Sequence, residues 1–170
     1  MKPIDYVITY VNCNDLNWIN LYKKYVGNNL FIERYRDNGT LRYQLRGVEK
    51  NLPWVDRVIL IVQSPSQLPE WLNKYNSKLK IIYHDEFIPN KYLPTFKSTN
   101  IELNIHRIPE LSDNFILAND DIIPIKYQPI DNYFINDHPV QVKFEHEYPI
   151  EPNESKIYLF KLYRAMLLER

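Results

Sequence analysis

Apolar residues gather in four short runs along the chain: Ile4 to Val11 (IDYVITYV), Arg57 to Gln63 (RVILIVQ), Leu79 to Tyr83 (LKIIY) and Asn114 to Ala118 (NFILA). Runs of this length, rich in β-branched and aromatic residues, predict buried strands. Helical periods lie between them. Asp15 stands where it can cap a helix carrying Trp18, Leu21, Tyr22 and Tyr25, with Gly27-Asn28-Asn29 to end it. Leu41, Leu45 and Val48 mark the core face of a second helix, Leu41 to Lys50, closed by Pro53. Pro69 to Tyr75 (PEWLNKY) reads as a short helix with proline at its start. Thr99 and Glu102 have the spacing of a capping box. Ile101, Ile105 and Ile108 then recur at helical period until Pro109. Further on, Pro129 to Phe134 is ambiguous, Val140 to Phe144 reads as a strand, and Lys156 to Glu169 (KIYLFKLYRAMLLE) as a helix apolar almost all round. Strands alternating with helices indicate an α/β layered fold, taken here as one domain over residues 1–170.

The stretch Leu93 to Asp121 concentrates the candidate chemistry: a loop, a helix, a turn, a strand and then Asn119-Asp120-Asp121. In open α/β sheets ligands bind outside the carboxyl ends of strands. Adjacent carboxylates there repel unless a cation or a proton is shared. A divalent metal carrying a phosphorylated substrate uses such a pair. A turn in which one aspartate caps the next element explains the residues equally well. Arg42 and Arg46 lie four apart on one helix face and match phosphate oxygens bidentately, although a solvated face is the simpler account. Glu102 reads equally as a capping residue, and His106 as a satisfied core histidine. His84-Asp85-Glu86, after the third run, has the side chains for a metal but no spacing that fixes one. Ser98 has no neighbouring base.

Composition removes several alternatives. At 170 residues and 45% hydrophobic content the chain is long and apolar enough to form a core. Lys plus Arg and Asp plus Glu number 21 each, so net charge favours neither a nucleic-acid nor a membrane-surface partner. Cys13 is alone, which excludes an internal disulfide and a cysteine-rich metal site. With 3 glycines there is no glycine-rich phosphate loop. Strand-like residues begin at Ile4, so no signal peptide is expected, and no apolar run reaches the length of a membrane span. The 14 tyrosines, interleaved with lysines, read more simply as half-buried surface than as a base-stacking platform.

Several blocks, taken together, resemble the Stealth proteins. That family includes bacterial capsular polysaccharide phosphotransferases and the animal N-acetylglucosamine-1-phosphotransferase. Ile4 to Asn12, with Asp15 and Trp18, resembles the family's first block. The run RDNGTLRYQLR, ending at Arg46, resembles its RDNGELRYSLRS block, with Thr40, Gln44 and Gly47 departing from the usual Glu, Ser and Ser. Pro53-Trp54-Val55 and Pro69-Glu70-Trp71-Leu72-Asn73 resemble the segments that follow. Leu93-Pro94-Thr95-Phe96 with Ser98, Ile101, Glu102, His106, Arg107, Asn119, Asp120 and Asp121 resembles the central block, where Lys97 departs from the usual Asn or Ser. The resemblance covers 1–134 and leaves 135–170 unassigned.

The resemblance implies a Rossmann-like, glycosyltransferase-A-related nucleotide-sugar fold, lacking the family's C-terminal portion. It implies transfer of a hexose 1-phosphate from a UDP-sugar to a glycan hydroxyl with release of UMP, helped by Mg²⁺ or Mn²⁺. Carried onto this chain, Ser98, Glu102 and Asp121 belong to the active site, and Asp120 with Asp121 holds the metal. Asn12, Arg42, Arg46 and His106 bind substrate, the two arginines facing the diphosphate. Family members continue into two further blocks supplying a catalytic histidine and a basic residue. No match follows Phe134, and His138 and His146 stand in no recognisable motif. A partner chain or a missing C-terminal half is therefore expected, in the cytoplasm and peripheral to the membrane. A non-catalytic nucleotide-sugar-binding module and an ordinary glycosyltransferase are the competing expectations.

Overall fold

Parallel strands can be joined only through crossovers of a dozen or more residues, and the spacing of the four apolar runs supplies them. The computed structural model describes residues 2–28, 35, 36 and 38–140. Strands β1 (Ile4–Thr9), β2 (Arg57–Val62), β3 (Leu79–Tyr83) and β4 (Asn114–Asn119) form one sheet in the order β3-β2-β1-β4. Every pairing is parallel, and β1 lies between its two partners: Tyr6 is opposite both Val58 and Ile116, and Thr9 opposite both Ile61 and Asn119. The first crossover carries helices α1 (Leu16–Tyr25) and α2 (Thr40–Asn51). The crossover from β3 to β4 carries two short helices, α3 (His84–Phe87) and α4 (Ser98–Glu102). A small antiparallel ribbon, β5 (Phe134–Ile135) with β6 (His138–Pro139), ends the described chain. All these elements lie in one compact unit, Met1–Pro139. Of the strand expected at 140–144, Val140 is in no element and 141–144 lie outside the described residues, as does the helix expected at 156–169.

Both faces of the sheet are covered, which is why the strands read as continuous apolar runs. On one face Tyr6, Ile8, Leu60 and Val62 pack with Leu41 and Val48 of α2 and with Leu52 just after it. On the other, Val7, Ile59, Ile61 and Ile82 pack with Phe87, Ile105 and Ile108. Truncating one of the fully buried isoleucines to alanine costs about 2–5 kcal/mol. At the amino-terminal edge of the sheet, the buried Asp5 carboxylate takes two hydrogen bonds of 2.9 Å from Arg57 and one of 2.8 Å from the Ser112 backbone. Arg57 also reaches the Glu110 carbonyl at 2.7 Å. One ion pair thus ties together the starts of β1, β2 and β4.

Two predicted helices take other forms. Pro69 to Tyr75 is a pair of turns. The Asn73 side chain accepts from the Tyr75 backbone N–H at 3.2 Å and Asn76 from that of Lys78 at 2.9 Å, so asparagines capture donors that a helix would need. Thr99 is not a cap: α4 starts at Ser98, with Lys97 before it and no side-chain cap. The run from Ile101 to Ile108 breaks after Glu102 and resumes as a 3-10 turn, Ile105–Arg107. There the Asn104 amide donates to the Asn100 carbonyl at 2.8 Å, again competing with the helix.

The chain leaving β4 runs back along α2. Gln44, fully buried, donates to the Asn119 carbonyl at 2.8 Å. Asn51 donates to the Pro124 carbonyl at 2.7 Å, and Trp54 to the Gln128 carbonyl at 2.7 Å. Gly47 permits this approach, because a Cβ there would stand 2.6 Å from the Pro124 carbonyl oxygen. Gln44 and Gly47 are two of the positions that depart from the usual serines, and both hold this segment.

Gly47→Ala is expected to destabilise the protein. Overpacking costs about 1–3 kcal/mol, which outweighs the roughly 1 kcal/mol that alanine gains in helix propensity. Urea denaturation measures the difference; an unchanged or raised midpoint would mean that Pro124 moves aside freely.

His84 is also buried, its Nδ1 has no hydrogen-bond partner among the described residues, and burial lowers its pKa to about 4, against an opposing effect of Asp85. The folded state therefore keeps the neutral ring, whereas the unfolded chain protonates near pH 6.5. The resulting stability is fully present above pH 6.5 and is lost as pH falls through about 4. The total loss is about 3 kcal/mol, at roughly 1.4 kcal/mol per pH unit. Stability measured from pH 7 to 4 should fall less in His84→Leu than in the parent chain, and parallel curves would reject this account.

Candidate active site at the strand-order reversal

The order β3-β2-β1-β4 reverses direction at β1, since the chain adds β2 and β3 on one side and β4 on the other. Crossovers leaving toward opposite sides open a crevice at the carboxyl ends of β1 and β4, where open α/β sheets bind ligands. Asn12 follows β1 toward this edge, and Asp120-Asp121 directly follows Asn119 at the end of β4.

The carboxylates occupy a turn closed by a 3.2 Å hydrogen bond from the Ile122 N–H to the Asn119 carbonyl. Gln44 donates to the same carbonyl, so α2 anchors the turn from behind. The turn reading and the cation reading are therefore compatible: backbone groups make the turn, leaving the Asp121 carboxylate exposed and without a hydrogen bond or ion pair among the described residues. Asp120 is half-buried beside it.

The Asn12 loop is held equally firmly. The buried Gln67 side chain accepts from the Asn12 N–H at 2.7 Å and donates to the Asn12 carbonyl at 3.2 Å. It also donates to Asp15 at 2.8 Å, and Ser66 donates to Asp15 at 2.7 Å. Asp15 caps α1, accepting from the Asn17 N–H at 3.0 Å. Burial opposes the charge on Asp15, but these hydrogen bonds outweigh it and hold the pKa below the usual carboxylate value. The Asn12 side-chain oxygen accepts from the Asn14 N–H at 3.0 Å.

Ser98 is exposed at the start of α4 and Glu102 half-buried at its end. The loop before α4 is tied to α1 by aromatic contacts. The Phe96 ring lies 5.7 Å from Trp18 and 5.2 Å from Tyr22, and Tyr35 donates to the Phe96 carbonyl at 3.3 Å. Ile101 of α4 packs with Val7, Ile59 and Ile61, so α4 lies on the sheet face opposite α2.

Other sequence candidates sit on other elements. His106 is exposed, three residues before Pro109, whose carbonyl receives Lys80 near the start of β3. Arg42 and Arg46 share a face, as their spacing requires, but it is the face of α2 opposite Gln44, Gly47 and Asn51. They line a groove with Trp71 and Lys78 instead. His84 is buried and Asp85 and Glu86 are exposed. Sequence reasoning missed Gln44 and Gln67 as the residues that hold the two crevice loops. Gln44 was visible only as a departure from a family pattern, and Gln67 followed a run that gave no reason to bury an amide.

Among the described residues no three His, Cys, Asp or Glu side chains gather around one point. Among the described residues, the Asp120-Asp121 pair is the carboxylate pair at the strand-order reversal that could hold a metal. Such a pair suits an ion of the magnesium or manganese class, which takes one or two carboxylates and completes its shell with phosphate oxygens and water. No helix among the described residues is long and apolar enough to cross a membrane.

The model of Stealth protein conserved region 2 matches residues 34–142. The chain is 43% identical over 143 residues to the capsular polysaccharide phosphotransferase eps5J of Streptococcus thermophilus, a span covering 80% of this chain and 59% of that protein. It is 43% identical over 144 residues to the capsular polysaccharide phosphotransferase WcwK of Streptococcus pneumoniae, covering 82% of this chain and 43% of that one. With the capsular polysaccharide phosphotransferase fcs1 of Haemophilus influenzae the identity is 44% over 131 residues, covering 73% of this chain and 35% of the relative. The chain thus spans less than two thirds of the length of each of these relatives. A parallel α/β sheet with a carboxylate turn at its order reversal, and a conserved-region match that includes both α2 and that turn, lead to one conclusion: the chain belongs to the Stealth family.

Proposed function

We propose that this chain carries the nucleotide-sugar site of a sugar-1-phosphate transferase acting in capsular or other cell-surface polysaccharide synthesis. The donor is a UDP-sugar such as UDP-N-acetylglucosamine, the acceptor a glycan hydroxyl, and the nucleotide product UMP. The observation that carries this reading is the Asp120-Asp121 turn at the order reversal, anchored by Gln44 and leaving Asp121 exposed. The names of the relatives support it.

In the proposed reaction the acceptor oxygen attacks the phosphorus nearest the sugar. The bond from that phosphorus to the oxygen bridging toward the nucleoside phosphate breaks, and UMP leaves with that oxygen. The acceptor proton passes to a general base, the role we give Glu102. A bound Mg²⁺ or Mn²⁺ would supply charge neutralisation for the diphosphate. Asp121, with Asp120, holds negative charge where that ion would be needed. Without it, an exposed carboxylate would repel the diphosphate. Asn12, on a loop fixed by Gln67, lines the donor side, and Ser98 the opposite wall.

Nucleotide analysis after incubation with UDP-N-acetylglucosamine, acceptor glycan and metal is expected to give UMP. UDP as the only nucleotide product would replace phosphoryl transfer by ordinary glycosyl transfer. UDP-sugar binding without turnover would assign this chain a binding role and catalysis to a longer assembly.

Asp121→Asn keeps the turn's shape and removes the charge. It is expected to retain the melting temperature and to weaken metal-dependent UDP-sugar binding at least tenfold, about 1.4 kcal/mol. Calorimetry with and without metal measures this. Unchanged metal-dependent binding in a folded Asp121→Asn protein would take Asp121 out of the site.

A further inference from the structure

The groove on the outer face of α2 has no part in the site described above. It encloses about 300 Å³ between α2 and the crossover from β2 to β3. Its floor is aliphatic, from Leu45, Val48 and Leu72 among others, and its polar rim is almost entirely cationic or donating. Arg42 and Arg46 are exposed and make no salt bridge among the described residues. Lys78 lies farther along the same rim, and among the lining residues Glu49 is the one acid. The Arg42 guanidinium stacks 5.4 Å from the centre of the Trp71 ring, which is 41% exposed. Asn73 and Asn76 use their side-chain oxygens in local turns, so each is left with its NH₂ group to offer.

These features select a ligand. Unpaired guanidiniums call for an anion with several acceptor oxygens. An exposed indole over an aliphatic floor suits the C–H faces of sugar rings. Arg42 and Glu49 are seven residues apart on α2, a rise of about 10 Å, so the groove is elongated. The donor diphosphate is an unsuitable occupant: a helix about 10 Å across stands between these arginines and the Gln44 face that holds the Asp121 turn.

Resting on the function proposed above, the reaction itself generates a suitable ligand. Each transfer of a sugar 1-phosphate leaves a phosphodiester, with one negative charge, in the product glycan. A chain acted on before enters the next round as an anion. We infer that the Arg42–Arg46–Trp71 groove binds the phosphodiester-bearing glycan, with a sugar face on Trp71 and the phosphodiester at the two arginines.

The test is a titration of the ¹⁵N-labelled chain, read at the Trp71 indole N–H and assigned with Trp71→Phe. The probes are a disaccharide joined through a phosphodiester, the uncharged disaccharide of the same two sugars, and UDP-N-acetylglucosamine. The phosphodiester disaccharide is expected to shift the Trp71 signal and to bind at least tenfold more tightly than the uncharged one. Its affinity should drop at least tenfold in Arg42→Gln/Arg46→Gln and fall steeply as salt is raised. Lys78→Gln, away from the Trp71 stack, should weaken it about two- to threefold. Equal binding of charged and uncharged disaccharides would overturn the inference. So would a silent Trp71, an undiminished double variant, or a Trp71 shift produced by UDP-N-acetylglucosamine but not by the phosphodiester. A reaction yielding UDP would remove the transfer mechanism while leaving this titration readable, so the two failures are distinct.

Discussion

Everything in this structure follows from β1 being paired in parallel on both sides. A parallel partner must be reached by a crossover, and two partners on opposite sides require crossovers that diverge. The divergence leaves the ends of β1 and β4 uncovered by connecting chain. Asn12 and the Asp120-Asp121 turn are therefore neighbours because of sheet topology, although more than a hundred residues separate them in sequence. The Asp5–Arg57 pair secures the opposite edge by joining the starts of the same three strands. Asp5 is buried and Arg57 part-exposed, so removing Arg57 would leave a buried carboxylate short of hydrogen-bond donors.

Helix α2 serves three neighbours with three faces. Leu41 and Val48 seal the sheet. Gln44, Gly47 and Asn51 receive the carbonyls of the chain leaving β4. Arg42, Arg46 and Glu49 face a groove. The middle face explains why a fully buried glutamine and a mid-helix glycine are kept. Each would weaken an ordinary amphipathic helix, yet each fits a backbone carbonyl that no apolar side chain could satisfy or accommodate.

The parts of the fold visible in the sequence were those set by local pattern. The four strands lie where their apolar runs put them, and α1 starts at the Asp15 cap. Pro69 to Tyr75 and the run after Glu102 misled because periodicity does not register the side chains of Asn73, Asn76 and Asn104, which bond to nearby backbone. At the site, the adjacency of Asp120 and Asp121 to a strand end was legible, as was the shared face of Arg42 and Arg46. Which side of the molecule that face adopts was not, because helical spacing gives relative angles and only the packing of Leu41 and Val48 sets their origin. Gln67 was invisible for a related reason: its role depends on the main chain of Asn12, 55 residues away.

The clasp that Gln67 makes on that main chain has a thermodynamic consequence. A loop awaiting a ligand ordinarily loses freedom when the ligand arrives, and that loss reduces the affinity observed. Here the Asn12 N–H and carbonyl are both engaged by one rigid amide, and Asp15 is immobilised by the same group. The ordering of this wall of the crevice is completed during folding. A ligand meets a surface whose configurational entropy has already been given up, and more of its contact energy remains to appear as binding.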